Sequence, residues 1–222
     1  MSRTLIRRYD DRQRLNHWAI VLVFFFAFAS GFALFHPSLY FLSVFVGGGQ
    51  WARILHPYLG LLMVLGFVFM FAALWRDNRI NDGDRAWLRN MRTMLRGHKD
   101  GSIPVGKYNA GQKLVFWGMS LSLLVLLVTG FLFWWPWFAE SVPIPLQRVA
   151  VVLHAVAAVV LVLSVIVHVY AAIWVKGTIR AMTRGTVTES WARRNHAGWH
   201  AEQTGSATRT PARPLPTPRT PG

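Results

Sequence analysis

Four long runs almost free of charge, at 18–35, 54–75, 114–138 and 149–175, constrain this 222-residue chain more than any other feature. Each is close to the roughly 20 residues that a helix needs to cross the hydrocarbon of a bilayer. The only acidic or basic side chains inside them are His56, His154 and His168. The expected fold is all-α: an integral membrane four-helix bundle, with helices at about 15–36, 53–76, 111–135 and 147–175 in one domain spanning about 1–200. Pro57 is tolerable because it falls in a first helical turn. The first run is too long for the core of a signal peptide, and 33–37 offers no small-residue cleavage site, so it is expected to be retained. No internal repeat is strong enough to use.

Charge gives these helices a direction. A net charge of +15 would point to nucleic acid in a soluble protein, but here its placement follows the membrane. Five arginines (Arg3, Arg7, Arg8, Arg12, Arg14) precede the first run, nine basic residues lie from Arg76 to Lys113, and eight more follow from Lys176. The segments 37–53 and 139–148 carry only Arg53 and Arg148. Translocated loops are poor in Lys and Arg, so both termini and the central loop are expected in the cytoplasm, with no nucleic-acid partner. In that loop Asp84 can cap an amphipathic helix whose Trp87, Leu88, Met91, Met94 and Leu95 share a face suited to the membrane surface or a partner. The aromatic cluster at 134–138 suits a membrane interface. The tail 201–222, rich in Pro, Thr and Arg, lacks material for a core and is expected to be disordered.

The histidines carry the chemistry. A histidine inside a membrane helix is expensive and usually has a task. With the helices oriented by charge, His17 and His168 lie toward the cytoplasmic side, and His56 and His154 toward the outer side. His154 and His168 are fourteen residues apart on one helix. At about 100° and 1.5 Å per residue they share a face and stand roughly 21 Å apart. Each therefore gains a partner at its own depth, which suits two b-type haems, each held by two imidazoles. The absence of cysteine excludes disulfides, iron–sulfur ligation and thioether-attached haem within this chain. Zinc in a closed site wants four ligands, and no depth supplies them. A proton relay would not explain two pairs at matched depths. Gly60, Ala157, Ala158, Ala171 and Ala172 leave clearance beside the ligands, although small residues also serve ordinary helix packing.

Arg53 and Arg148, three residues before His56 and six before His154, are suited to haem propionates, with lipid phosphate as the alternative. His36, His98, His196 and His200 lie at interfaces or in soluble segments and are expected to be solvated.

Taken together, Asn16-His-Trp, Arg53-Ile-Leu-His-Pro, Gly106-Lys-Tyr-Asn-Ala-Gly-Gln-Lys113, Leu127-Val-Thr-Gly130, Leu153-His and Trp174-Val-Lys-Gly177 resemble the cytochrome b (gamma) subunits of respiratory formate dehydrogenases. The resemblance covers about 5–200, and the stretch from Gly106 is its most specific part. It implies two haems b in the bacterial inner membrane, one on the cytoplasmic side at His17 and His168 and one on the periplasmic side at His56 and His154. It also implies reduction of a quinone, menaquinone or ubiquinone, by residues matching Asn109, Gly111 and Gln112, with His168 adjoining. The implied partners are an iron–sulfur subunit and a molybdenum or tungsten catalytic subunit on the periplasmic side, where formate is oxidised. Complexes of this family are known to assemble three-fold. From the residues alone, Asn109 with Gln112 three positions on is also a capping-box variant, sufficient to begin a helix.

Two other readings fit parts of the pattern. The histidine arrangement is shared with the cytochrome b subunits of nickel–iron hydrogenases, and a hydrogenase or another molybdoenzyme complex would change the electron donor. A haem-free four-helix transporter or assembly protein would use the histidines structurally.

Overall fold

The computed structural model describes residues 4–89, 105–135 and 137–205. Among them are four helices long and apolar enough to cross a membrane: α1 (Asp11–Phe35), α2 (Gly49–Leu74), α4 (Ala110–Leu132) and α5 (Ile144–Trp174). A short helix α3 (Asp82–Arg89) follows α2. Beyond α5 come α6 (Thr178–Arg184), α7 (Glu189–Asn195) and α8 (Ala197–Gln203).

The starts of α1 and α4 are set by the same device. Asp10 accepts from the Gln13 N–H and the Gln13 side chain accepts from the Asp10 N–H, and Asn109 and Gln112 repeat that exchange. Two orphan donors at each helix start are thereby satisfied. With Asp10 as its cap, α1 begins earlier than the apolar pattern implies.

The helices form two antiparallel hairpins, α1 with α2 and α4 with α5, joined chiefly where α2 meets α4. Halfway along, Ala27, Met63, Leu123 and Leu161, one from each long helix, meet in a buried layer. Leu161 is seven residues from both His154 and His168, so this apolar waist divides the bundle into two ends. At the loop end the hairpins turn, through a 3-10 segment (Pro37–Val46) in the first. At the other end, called the terminal end, lie the start of α1 and the segment that follows α5.

The terminal end carries a small cap. Strand β1 (Leu5–Arg7) pairs antiparallel with β2 (Thr186–Thr188), the one sheet among the described residues. Ala181, Val187, Trp191, Ala192 and Trp199 form its core. Gly177, at φ +97°, turns the chain out of α5, and a Cβ there would lie 2.9 Å from the Trp191 ring. The turn therefore needs glycine for both backbone and space.

Three expectations change here. Asn81, not Asp84, caps α3: its side chain accepts from the Asp84 N–H. Asp84 stands in the first turn, with its carboxylate on the Asn81 N–H at 2.8 Å and on Lys113 Nζ at 2.7 Å. The remainder of the expected amphipathic helix, 90–95, and the Trp87 side chain lie outside the described residues. His196 is buried in the cap, with Nδ1 2.8 Å from the Gly106 carbonyl, and His200 approaches Glu189 at 3.4 Å. The aromatic cap closes over His196, and His200 is partly covered, its side chain 14% exposed. His98 and the tail beyond 205 lie outside the described residues.

Candidate cofactor-binding sites

The four histidines meet in two pairs. His56 of α2 faces His154 of α5 at the loop end, with ring centres 6.3 Å apart. His17 of α1 faces His168 of α5 at the terminal end, with ring centres 6.2 Å apart. Neither α1 nor α2 packs closely along α5, so in each pair the rings reach across a gap between backbones.

Neighbouring helices define how the loop-end rings sit. His56 Nδ1 is 3.1 Å from Ser30 Oγ of α1, and His154 Nδ1 is 2.9 Å from Thr129 Oγ1 of α4. A Cβ added at Gly31 would stand 2.7 Å from His56 Cε1, so only glycine leaves room for that ring. The close glycine thus comes from the adjacent helix, whereas a Cβ at Gly60 would meet nothing within 4 Å. At the terminal end, His17 Nδ1 is buried without a hydrogen-bond partner among the described residues, and Trp18 meets the His17 ring edge-on at 5.4 Å.

A family profile described as prokaryotic cytochrome b561 matches residues 8–185. The chain is 43% identical over 200 residues to the formate dehydrogenase cytochrome b556(fdo) subunit of Escherichia coli K12, covering 90% of this chain and 94% of that one. It is 39% identical over 198 residues to the nitrate-inducible formate dehydrogenase cytochrome b556(Fdn) subunit of the same strain, covering 89% and 91%. The formate dehydrogenase cytochrome b556 subunit of Haemophilus influenzae is 36% identical over 200 residues, covering 90% and 84%. The chain belongs to the formate dehydrogenase cytochrome b family.

A cytochrome b of this family implies haem b, and both histidine pairs fit it. His56 with His154 and His17 with His168 would each hold one haem through imidazole nitrogens, and the haem would supply one-electron redox chemistry there. The two pairs have nearly equal ring separations, 6.3 Å at the loop end and 6.2 Å at the terminal end. The unpartnered His17 Nδ1 and the glycine cradle at Gly31 are further signs of space arranged around ligand rings.

The other candidates in this cytochrome b are placed as follows. Arg53 stands in the first turn of α2, lining a cavity of about 840 Å3 with His36, Tyr40 and Gln50, and Arg148 is exposed near the start of α5. Asn109 and Gln112 are joined in the capping box that starts α4, with Gly111 between them.

Sequence reasoning missed several positioning groups. Lys113 is buried and bonds both Asp84 and the Arg79 carbonyl, fastening the turn after α2 to α4. Arg8, expected only as a topology charge, is also buried. Its guanidinium lies 4.9 Å from the Trp199 ring centre and 5.1 Å from that of Trp191, and it donates to the Lys107 carbonyl. This pins the segment leading into Asn109.

Ser30 and Thr129 were missed as well, and a signal for them existed. Arg8 and Lys107 are 99 residues apart. At that same offset Tyr9-Asp10 matches Tyr108-Asn109, Gln13-Arg14-Leu15 matches Gln112-Lys113-Leu114, and Trp18 matches Trp117. Ser30-Gly31-Phe32 matches Thr129-Gly130-Phe131, and Ala72-Ala73-Leu74-Trp75 matches Ala171-Ala172-Ile173-Trp174. These matches relate the two hairpins as an internal repeat, although the apolar runs alone do not reveal one. Apolar helices with many interchangeable residues obscure it until the capping boxes set the alignment.

Proposed function

We propose that this chain is the membrane-anchoring cytochrome b subunit of a respiratory formate dehydrogenase, with His56 and His154 holding one haem b and His17 and His168 a second. The matched ring separations of the two histidine pairs carry this reading. Haem, when bound, supplies one-electron redox chemistry that the side chains lack. Formate is oxidised on a molybdenum or tungsten partner, an iron–sulfur partner delivers electrons at the loop end, and quinone is reduced at the terminal end. The bias of Lys and Arg toward the terminal end makes that end cytoplasmic and the loop end periplasmic in a bacterial inner membrane.

The chain's own residues perform ligation, insulation and positioning. Each imidazole offers a nitrogen lone pair to iron, and Ala27, Met63, Leu123 and Leu161 keep the space between the ends apolar. Arg53 and Arg148 are suited to the propionate carboxylates of the loop-end haem, because guanidinium–carboxylate hydrogen bonds are charge-assisted. In the box that starts α4, Gln112 spends its carbonyl oxygen on the Asn109 N–H. Its amide N–H groups are suited to donate to a quinone oxygen, with Gly111 and His168 contributing to the same site.

The test is haem content of the purified complex together with its donor. Two haems b per chain, reduced by formate and reoxidised by quinone, is the expected result. One haem or none per chain overturns the pairing, and reduction by hydrogen but not formate assigns the subunit to a hydrogenase instead.

A further inference from the structure

We propose that Ser30 and Thr129 are positioning residues that hold His56 and His154 in one tautomer, with hydrogen on Nδ1 and both Nε2 lone pairs turned to the same iron. The proposal rests on the haem reading above and extends it to residues that do not touch the metal.

Both hydroxyls are acceptors toward the rings because their hydrogens are already engaged. Ser30 donates to the Phe26 carbonyl at 2.8 Å, and Thr129 donates to the Val125 carbonyl at 2.6 Å. This return to the preceding turn is the ordinary preference of Ser and Thr inside a helix. A hydroxyl has one hydrogen, so the oxygen that remains can only accept from a second partner. An accepting oxygen beside each Nδ1, at 3.1 Å for His56 and 2.9 Å for His154, places the hydrogen there. Neutral imidazole then has its lone pair on Nε2, the form that ligates metal, and an accepted Nδ1–H raises ligand basicity.

The repeat makes this one device used twice. In each hairpin the first helix supplies a hydroxyl followed by glycine, and the second supplies the histidine braced by it. Ser30 and Thr129 share the 99-residue offset, and His56 and His154 depart from it by a single residue. Among the described residues the terminal-end pair has no such arrangement. His17 and His168 stand where the other hairpin has Phe116 and Phe69, and His17 Nδ1 is buried without a partner. The loop-end site is therefore symmetric in its bracing, whereas the terminal-end site draws one unrelated histidine from each hairpin.

The experiment measures haem stoichiometry, reduced-minus-oxidised spectra and the two midpoint potentials of the complex carrying S30A, T129V or both. Wild-type protein must bind the loop-end haem, and if it does not, the ligation reading fails rather than this one. Loss of the accepted hydrogen bonds makes the ligands poorer donors and favours reduced iron. The expected result is a rise in the loop-end potential, approaching a tenfold change in the redox equilibrium for the double variant, or about 59 mV for one electron. Selective loss of the loop-end haem also supports the proposal, since such partners are worth roughly 10–100-fold in metal affinity. S30T should restore the wild-type potential. Unchanged potentials with both haems bound overturn the proposal, as do equal changes at both haems.

Discussion

The two histidine pairs have nearly the same ring spacing but different surroundings. At the loop end each ring has a hydroxyl partner from the preceding helix, and Gly31 leaves space for one of them. At the terminal end His17 Nδ1 has no partner among the described residues, yet the nearby turn and cap hold a buried ion pair and a buried guanidinium. One end is organised around its histidines by short polar contacts within the membrane. The other is held by charged contacts outside the bundle. Spacing therefore reports what the pairs share, while hydrogen bonding and charge distinguish them.

The largest effect should come from separating the ends at α5, the one helix that serves both. Replacement of His154 by Ala is expected to remove the loop-end haem and leave the terminal-end haem bound, and His168→Ala should do the reverse. Haem content and reduced-minus-oxidised spectra check this directly. Loss of the terminal-end haem alone in His154→Ala would break the pairing on which the comparison rests.

Much of this architecture was legible in the sequence because it depends on properties that add along the chain. Apolar length marked the four helices, and depth along them paired His17 with His168 and His56 with His154. Groups whose role depends on a neighbour brought close by folding were not legible. Ser30 lies in the middle of an apolar run, and nothing local marks it as a partner of His56. Lys113 and Arg8 looked like ordinary topology charges, because only the fold reveals Asp84 beside one and two tryptophan rings beside the other. His196 and His200 belong to a cap whose core residues are scattered among polar ones, so their burial left no periodic trace.

The next effect tests the charged end. Lys113 and Asp84 side chains are only 6% and 8% exposed, and their contact is 2.7 Å. Lys113→Met should destabilise the folded protein by about 3–5 kcal/mol, since it strands a buried carboxylate. Removing both charges, in Lys113→Met with Asp84→Leu, should recover most of that loss, because the pair's attraction largely offsets its own desolvation. Thermal unfolding in detergent reads both variants. Equal destabilisation by the single and double changes would show that packing, not charge, holds the turn after α2.

A smaller effect distinguishes the two halves of the loop end. A Cβ at Gly31 falls 2.7 Å from His56 Cε1, while one at Gly130 falls 3.5 Å from His154 Cε1. The first distance forces the imidazole aside, and the second is ordinary contact. Gly31→Ala should cost about 1–3 kcal/mol through overpacking and weaken the loop-end haem, with Gly130→Ala close to wild type. Haem retention during thermal challenge is the suitable measurement, and equal behaviour of the two variants would argue against the glycine cradle.

The smallest effect belongs to the cap, and it depends on pH. Burial pushes the Tyr108 phenol well above its usual 10.0, with Tyr9 adding to the shift and the Arg8 guanidinium opposing it. A raised value means that the folded state holds the proton more tightly than the unfolded chain does. The associated stability is complete below about pH 10 and is lost as pH rises through the folded-state value. The cap should therefore loosen in alkali before the apolar bundle does, and Tyr108→Phe should remove that part of the pH dependence. Tryptophan fluorescence from Trp191 and Trp199, followed between pH 9 and pH 12 in wild type and Tyr108→Phe alongside haem absorbance, checks the order. Simultaneous loss of both signals would mean that the charged end and the histidine-bearing bundle unfold as one unit, and the contrast between the ends would then be one of construction rather than of stability.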